Sequence, residues 1–284
     1  MRTEPDLRGH TVVLLHAHPD DEAIFAGLTL RRLADAGART VLVLATAGEL
    51  GGSRIDLRPG ETVPERRIAE LERAAELLGV SRLVLLGGRD SGLPGGPGTT
   101  HTRALTQADP LVLARAVAEL VDDEGAATLV HDDEHGIYGH PDHVAVHRIG
   151  ALAAELAGVA SYRTTVDREH LHLAARDRHL VHGAARAAAT PYGRATVEIA
   201  LAVTGTAEQL DVKRAAIVAH ASQLVPDDVP ADGFAAASGY AWYRRRGPPG
   251  VLDRLGNAHL LATPGGRGTA AGSQQSGFTA VRLQ

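Results

Sequence analysis

Thr11-Val12-Val13-Leu14-Leu15-His16-Ala17-His18-Pro19-Asp20-Asp21-Glu22 decides how the rest of the chain is read. Thr11–Leu15 is a continuous apolar run rich in β-branched residues, the pattern of a strand covered on both faces. It ends in two histidines and three carboxylates, where a nucleotide-binding turn would carry glycines. Three later runs have the same character: Thr40–Ala45, Arg82–Leu86 and Thr128–Val130. Between and after them lie stretches with helical spacing: Ala23–Ala36, Pro64–Leu78, Pro110–Asp122 and Pro141–Leu156, the last with proline in its first turn. The alternation predicts an α/β fold, a Rossmann-like, mostly parallel sheet flanked by helices with right-handed crossovers. A less regular C-terminal part follows, with a strand expected at Thr196–Val203 and a helix at Thr206–Gln223. We expect one α/β domain over residues 1–263, its core in 10–160, and a Gly/Ser-rich tail over 264–284. Gly87–Pro110 is long for a connection inside a domain, which is the behaviour of a functional loop or lid.

Composition narrows the chemistry. The chain has 284 residues, 44% hydrophobic and 22% charged, which suits a globule with a full core. Its net charge of −5 gives no basic footprint for nucleic acid or an anionic membrane surface. Cysteine is absent, which removes disulfides, thiolate nucleophiles and Cys-ligated zinc. Arginine outnumbers lysine 28 to one, so Lys213 is the single candidate for Schiff-base chemistry. Met1–Arg8 has no apolar signal-peptide core, and no run is long enough to span a membrane. The expectation is a cytoplasmic protein, with no membrane insertion and a homo-oligomer allowed.

Two constellations carry chemistry. In the first, His18 and Asp21 are three apart and can face one way on a first helical turn, whereas Asp20 points elsewhere. Helix capping explains the three acids but not the histidines. The second is His131-Asp132-Asp133-Glu134-His135-Gly136-Ile137-Tyr138-Gly139-His140-Pro141-Asp142-His143, again after a strand and opening a helix. One histidine from it, added to His18 and Asp21, would complete a His2Asp set with room for water, the pattern of a catalytic zinc site. His143 and His147 are four apart, but Val144-Ala145-Val146 holds no glutamate, so the zinc-protease motif fails and His147 reads as a supporting or surface residue. His131–His135 reads as a solvated loop, and Arg244-Arg245-Arg246 as a solvated basic run. Gly88-Arg89-Asp90-Ser91-Gly92 has Asp where a nucleophile elbow requires Ser, so a serine hydrolase is unsupported.

Ala17-His18-Pro19-Asp20-Asp21-Glu22 and the later His140-Pro141-Asp142-His143 together resemble the PIG-L/LmbE-like de-N-acetylase family. The resemblance covers about residues 10–160, and Ala219-His220-Ala221-Ser222-Gln223 is similar to a late segment of its mycothiol-pathway members. It implies hydrolysis of an N-acetyl group from an N-acetylglucosamine-type sugar. His18, Asp21 and His143 would hold Zn2+, with Fe2+ or another divalent metal also suited to such a set. Asp20 would be the general base. His140, oriented by Asp142, would stabilise the oxyanion or protonate the leaving amine, and Tyr138 would assist the tetrahedral intermediate. Arg67, Asp90 and, less securely, Glu49 would contact the sugar. Bland readings stand beside these: Arg67 as a solvated helix residue, Asp90 as an Asx-turn, Tyr138 as a packing aromatic, His220 as a structural or pocket-wall histidine rather than a ligand. The partner would be a small N-acetylated sugar conjugate. Two alternatives remain: a metal-dependent deacetylase of a glycosylated natural product or amidase of a mycothiol-type conjugate, and a sugar-binding protein on the same fold without catalysis. The acidic His131-Asp132-Asp133-Glu134 departs from the thiol-pathway pattern.

Overall fold

The computed structural model describes residues 5–175, 178–259 and 281–282. The elements run β1 (Thr11–His16), α1 (Asp21–Asp35), β2 (Arg39–Thr46), α2 (Val63–Leu78), β3 (Arg82–Gly88), α3 (Pro110–Asp123), β4 (Thr128–Asp132), α4 (Gly136–Gly139), α5 (Pro141–Ala157) and β5 (Ala160–Thr165). The chain continues through α6 (Arg168–Leu173), α7 (Val181–Ala188), β6 (Leu201–Thr204), α8 (Ala207–Ala219), α9 (Phe234–Ser238), β7 (Tyr240–Arg246), α10 (Val251–His259) and β8 (Val281–Arg282). The sheet order is β6-β7-β5-β4-β1-β2-β3-β8. Neighbours are parallel from β5 through β8, and β7 joins β5 and β6 antiparallel. This is the expected Rossmann-like α/β architecture, with an antiparallel edge added by the C-terminal part.

The apolar runs are continuous because they serve two cores. Val12, Leu14, Leu42 and Leu44 enter one, with residues of α1, α2, α8 and α10. Val13, Leu15, Val41 and Val43 enter the other, with Val117 and Val121 of α3 and Val146 and Ile149 of α5. A half-exposed strand would alternate with polar residues; these cannot. Helix starts follow local chemistry. Thr62 and Glu65 form a capping box before α2, and Thr206 with Gln209 does the same for α8.

Several expectations change after residue 160. Thr196–Val203 is not one strand: Thr196–Glu198 is a 3-10 turn, and only Leu201–Thr204 pairs in the sheet. Side chains decide this, because Thr196 Oγ1 donates to Asp167 and Glu198 accepts the Ala195 N–H. The helix expected at Thr206–Gln223 ends at Ala219. β5 (ASYRTT) and β7 (YAWYRRR) were not legible as strands, since their polar residues find partners across the sheet rather than water. The Arg244–Arg246 run is only partly solvated, with Arg244 paired to Glu134, Arg245 to Asp253 and Arg246 to Glu155. Residues 264–280 of the expected tail lie outside the described residues, and Val281–Arg282 pair with β3.

The single lysine is structural. Lys213 of α8 is fully buried against Gly27 of α1, and Nζ donates to Ser238 O (2.7 Å) and Tyr240 O (3.4 Å). A neutral amine has two N–H bonds, enough for both carbonyls. Burial pushes its pKa down to about 7. In the unfolded chain the amine stays protonated up to about pH 10.4. Between these values the unfolded state binds more protons, so stability rises with pH. Compared with Lys213→Met by urea denaturation at several pH values, the wild type should gain stability from pH 7 to 10 while the variant does not.

Candidate metal centre and active site

The two motifs meet because of strand order. From β1 the chain builds outward to β2 and β3, then crosses back to place β4 on the other side of β1. In such sheets the crevice beyond the carboxyl ends of the strands, at the point of reversal, is the natural ligand site. The β1/β4 register pairs Val12 with Thr128 and Leu14 with Val130. Carried forward by two residues, it levels His16 with Asp132, and His16 Nδ1 lies 3.1 Å from Asp132 Oδ1. The first motif therefore leaves β1 beside the second leaving β4.

His18, Asp21 and His143 converge behind this crevice, all buried. Asp21 Oδ2 lies 3.5 Å from His18 Nδ1 and 3.4 Å from His143 Nε2. Donor atoms at ~2.1 Å around a tetrahedral ion sit about 3.4 Å apart, which each of these two pair distances matches. Among the described residues, the groups whose donor atoms all fall within 4.8 Å of one another are His18, His140 and His143, and His18, Asp90 and Asp142. In those groups Nδ1 of His140 accepts the Asp142 N–H, Asp142 Oδ2 accepts the Ser91 N–H and Asp90 accepts from Gly92 and Leu50, just as Asp21 Oδ2 accepts the His18 N–H at 2.8 Å.

The donors are oriented from behind. His18 Nε2 meets Asp142 Oδ2 at 3.1 Å. His143 Nδ1 lies 2.8 Å from Asp132 Oδ2. Carboxylates behind imidazoles fix tautomer and ring direction at metal sites. Asp132 thus stands between His16 and His143, and the solvated-loop reading of His131–Asp133 is wrong: His131, Asp132 and Asp133 are all fully buried. The reason is that Asp132 ends β4 inside the sheet, while Asp133 turns inward. Asp133 Oδ1 accepts from His135 N (3.0 Å) and Ile137 N (2.9 Å), holding the turn that carries Tyr138. Ile137 sits at φ +58°, a costly conformation for a β-branched residue and one found where a site over-determines the backbone. Only the end of the expected loop, at Glu134 and His135, is partly or fully exposed. His147 lies outside the donor set, with Nδ1 3.1 Å from Asp132 O.

Asp20 has its own setting. Its side chain makes no cap hydrogen bond to α1, so the capping explanation fails there. Arg67 Nη2 lies 3.3 Å from Asp20 Oδ2 and also reaches Pro19 O, while Nη1 donates to Gly48 O at 3.1 Å. Arg67 is therefore buried, not solvated. Burial raises the Asp20 pKa to about 6, with Arg67 opposing. For Asp21 burial works the same way, but His143 and His18 overrule it and hold the carboxyl well below its ordinary range. The adjacent carboxylates are thus driven apart, the arrangement that separates a base from a permanently charged group. For His18, burial favours the neutral ring, but Asp142, Asp21 and Asp90 raise its pKa. Burial and the His18 and His143 rings push the pKa of His140 down, and the Asp142 N–H on Nδ1 leaves Nε2 as the nitrogen placed to donate. The Asp142 carboxylate contacts His18 rather than His140; it is the Asp142 backbone N–H that orients His140. Tyr138 OH lies 3.2 Å from His143 Nε2.

A cavity of about 350 Å³ opens onto these groups, walled by His18, Asp20, Arg67, Asp90, Tyr138 and His140. Asp21, Asp142 and His143 form its buried back. Glu49 does not line it. Its carboxylate accepts the Asp90 N–H at 2.9 Å, and it faces a separate cavity of about 300 Å³ beside Arg103. Sequence reasoning missed Leu50, Leu93 and Gln223, which form the outer wall. Leu50 and Leu93 are 44% and 45% exposed, an apolar lip that only the fold assembles. The Gly87–Pro110 segment is pinned to the site through the Ser91 N–H on Asp142, and the Ser91–Thr106 hydroxyl contact (3.1 Å) ties the segment to itself.

The reversal point of a parallel sheet gathers imidazoles and carboxylates that could hold a metal ion beside one cavity. The chain belongs to the family described as PIG-L: GlcNAc-PI de-N-acetylase, whose profile matches residues 13–154. It is 34% identical over 259 residues to the 1D-myo-inositol 2-acetamido-2-deoxy-α-D-glucopyranoside deacetylase of Thermobifida fusca (strain YX), covering 81% of this chain and 88% of that one. It is 39% identical over 165 residues to the like-named deacetylase of Thermomonospora curvata, a match spanning 51% of this chain and about half (52%) of that relative. A deacetylase solved in complex with teicoplanin shares the fold, with TM-score 0.56 and 17% identity over 83% of this chain and 96% of that one. Among the described residues no helix is long and apolar enough to cross a membrane.

Asp132→Asn should keep the fold but weaken divalent-metal binding by about 10–100-fold, because the partner of His143 loses its charge. Zinc titration of the apoprotein by calorimetry, with circular dichroism as the control for folding, checks this.

Proposed function

We propose that this protein is a metal-dependent N-deacetylase of an N-acetylglucosamine-type conjugate. The observation that carries the reading is the spacing of Asp21 Oδ2 from His18 and His143, with Asp20 beside them at the cavity wall. His18, Asp21 and His143 would hold the metal, Zn2+ or Fe2+ by donor type. When bound, it supplies Lewis acidity that polarises the amide carbonyl and brings the pKa of a water near ~7.

The chain does the rest. Asp20, on the cavity side and held by Arg67, takes the proton from the attacking water, a contribution of roughly 10²–10⁴-fold. His140 donates its Nε2–H to the carbonyl oxygen as it gains negative charge, and Tyr138 OH adds a second donor. Losing one such donor commonly costs about 2.7–4 kcal/mol. The proton on Asp20 then passes to the amine nitrogen as the C–N bond breaks, which returns Asp20 to its starting form. Arg67 and Asp90 shape the sugar side. Glu49 acts on substrate only through Asp90, since it faces away from the cavity. A base beside the donor set argues against a protein that only binds sugar, which has no use for one. The 34%-identical relative named as a 1D-myo-inositol 2-acetamido-2-deoxy-α-D-glucopyranoside deacetylase supports the amide-hydrolase class.

The test is acetate and free-amine release from 1D-myo-inositol 2-acetamido-2-deoxy-α-D-glucopyranoside, a mycothiol-type conjugate and an N-acetylated glycopeptide. Release from one of them should stop with a chelator and return with added Zn2+. Absence of release from all three, with one metal bound per chain, would reject the deacetylase reading. Asp20→Asn should retain metal and lose at least ~100-fold in kcat, whereas His143→Ala should lose the metal itself. Metal analysis of the purified variants separates the two.

A further inference from the structure

Asp20 is held in a backbone conformation that costs energy, and its support comes from the far end of the chain. Its φ and ψ are +118° and −29°, a region that L-residues rarely adopt. Its N–H donates to Glu22 Oε2 at 2.9 Å. The other oxygen of that carboxylate, Oε1, lies 2.7 Å from His220 Nε2, and both side chains are fully buried. Glu22 and His220 are 198 residues apart. His220 follows α8, outside both motifs and outside the cavity wall. Its other nitrogen, Nδ1, is buried without a protein partner, so the ring's one directed contact is with Glu22.

We propose that His220 is a positioning residue for the general base: it fixes the Glu22 carboxylate, which holds the Asp20 backbone so that its side chain faces the cavity. This rests on the assignment of Asp20 as base. A buried carboxylate that loses its partner rotates toward another. Rotation takes Glu22 Oε2 off the Asp20 N–H, and the strained φ keeps only the Ala23 and Ile24 N–H groups on Asp20 O and the Arg67 contact to its side chain. Arg67 grips the Asp20 side chain but not this N–H. The backbone around residue 220 is anchored independently of the ring. Ser222 N and Oγ donate to Glu70 at 2.9 and 2.6 Å, and Gln223 Nε2 reaches Gly52 O at 2.7 Å. Replacing the ring therefore leaves the segment in place.

The test is a double-mutant cycle on the zinc-loaded full chain, with 1D-myo-inositol 2-acetamido-2-deoxy-α-D-glucopyranoside or whichever panel member is turned over. His220→Leu should lower kcat by about 30-fold or more, leave KM within about threefold and keep one metal per chain. In the Asp20→Asn background the same change should alter the residual kcat by less than about threefold, because the group being positioned is gone. His220→Gln, whose Nε2–H can reach Glu22, should recover most of the loss. Unchanged kcat in His220→Leu, an equal loss in both backgrounds, or loss of metal overturns the proposal. Should His220→Leu fail to fold, His220→Asn, with an amide too short for Glu22, enters the same cycle with the same deciding outcomes. A crystal structure of the folded variant decides without turnover: Asp20 still near φ +118° with its N–H on Glu22 overturns the proposal. Near-normal kcat in Asp20→Asn alone removes the base assignment instead, and is visible before the cycle is closed.

Discussion

The parallel pairing of β1 with β4 is the constraint on which the site depends. Parallel neighbours end at the same edge of a sheet, and the register of these two levels His16 with Asp132. Two turns more than a hundred residues apart then share one crevice. A one-residue slip would exchange the core faces of the strand, sending Val13 and Leu15 where Val12 and Leu14 belong. The hydrophobic pattern that stabilises the sheet therefore also sets the geometry of the imidazoles and carboxylates beyond it.

Gathering His16, His18, His140, His143, Asp21, Asp132 and Asp142 in one buried volume is expensive in isolation. Charges removed from water remain charged only when paired and hydrogen-bonded. The structure meets this with alternation: Asp132 stands between His16 and His143, and Asp142 between His18 and the Ser91 N–H. A divalent cation among His18, Asp21 and His143 would offset the remaining negative charge. The same interlocking explains why neighbours such as Asp20 and Asp21 differ in proton affinity. One faces Arg67 at the cavity wall and the other lies between two imidazoles.

Each half of the chain supplies a different part. Residues 10–160 bring the chemistry, while later residues hold it still. Thr190 Oγ1 donates to Tyr138 O, Arg194 pairs with Glu134, and His220 pairs with Glu22. Gly139 has φ +82°, and a Cβ there would meet Thr190 Oγ1 at 2.6 Å, so the turn before His140 needs glycine both for its conformation and for its packing. The antiparallel β6–β7 edge extends the sheet on the β4 side and brings Arg244 to Glu134. The irregular C-terminal part thus works as a buttress for the second motif.

The sequence by itself determined the parallel sheet, the first four strands and their helices, because strands buried on both faces must be apolar throughout. Its spacing also singled out His18 and Asp21 with one histidine of the second turn, while Asp20, Tyr138, His140 and His143 were singled out through the resemblance of the two motifs to the PIG-L family. Short polar strands such as Ala160–Thr165 were not legible, because their pattern reflects partners rather than burial. The roles of Asp132, Asp133, Arg67 and Glu22 were likewise decided only by the tertiary structure. A charged residue reads as solvated until the opposing group is known, and here that group comes from another strand, a neighbouring helix or the chain 198 residues on. Glu49 shows the converse: adjacency in sequence to the site did not tell which of two cavities its side chain would face, because that depends on the Asp90 N–H contributed by the segment after β3.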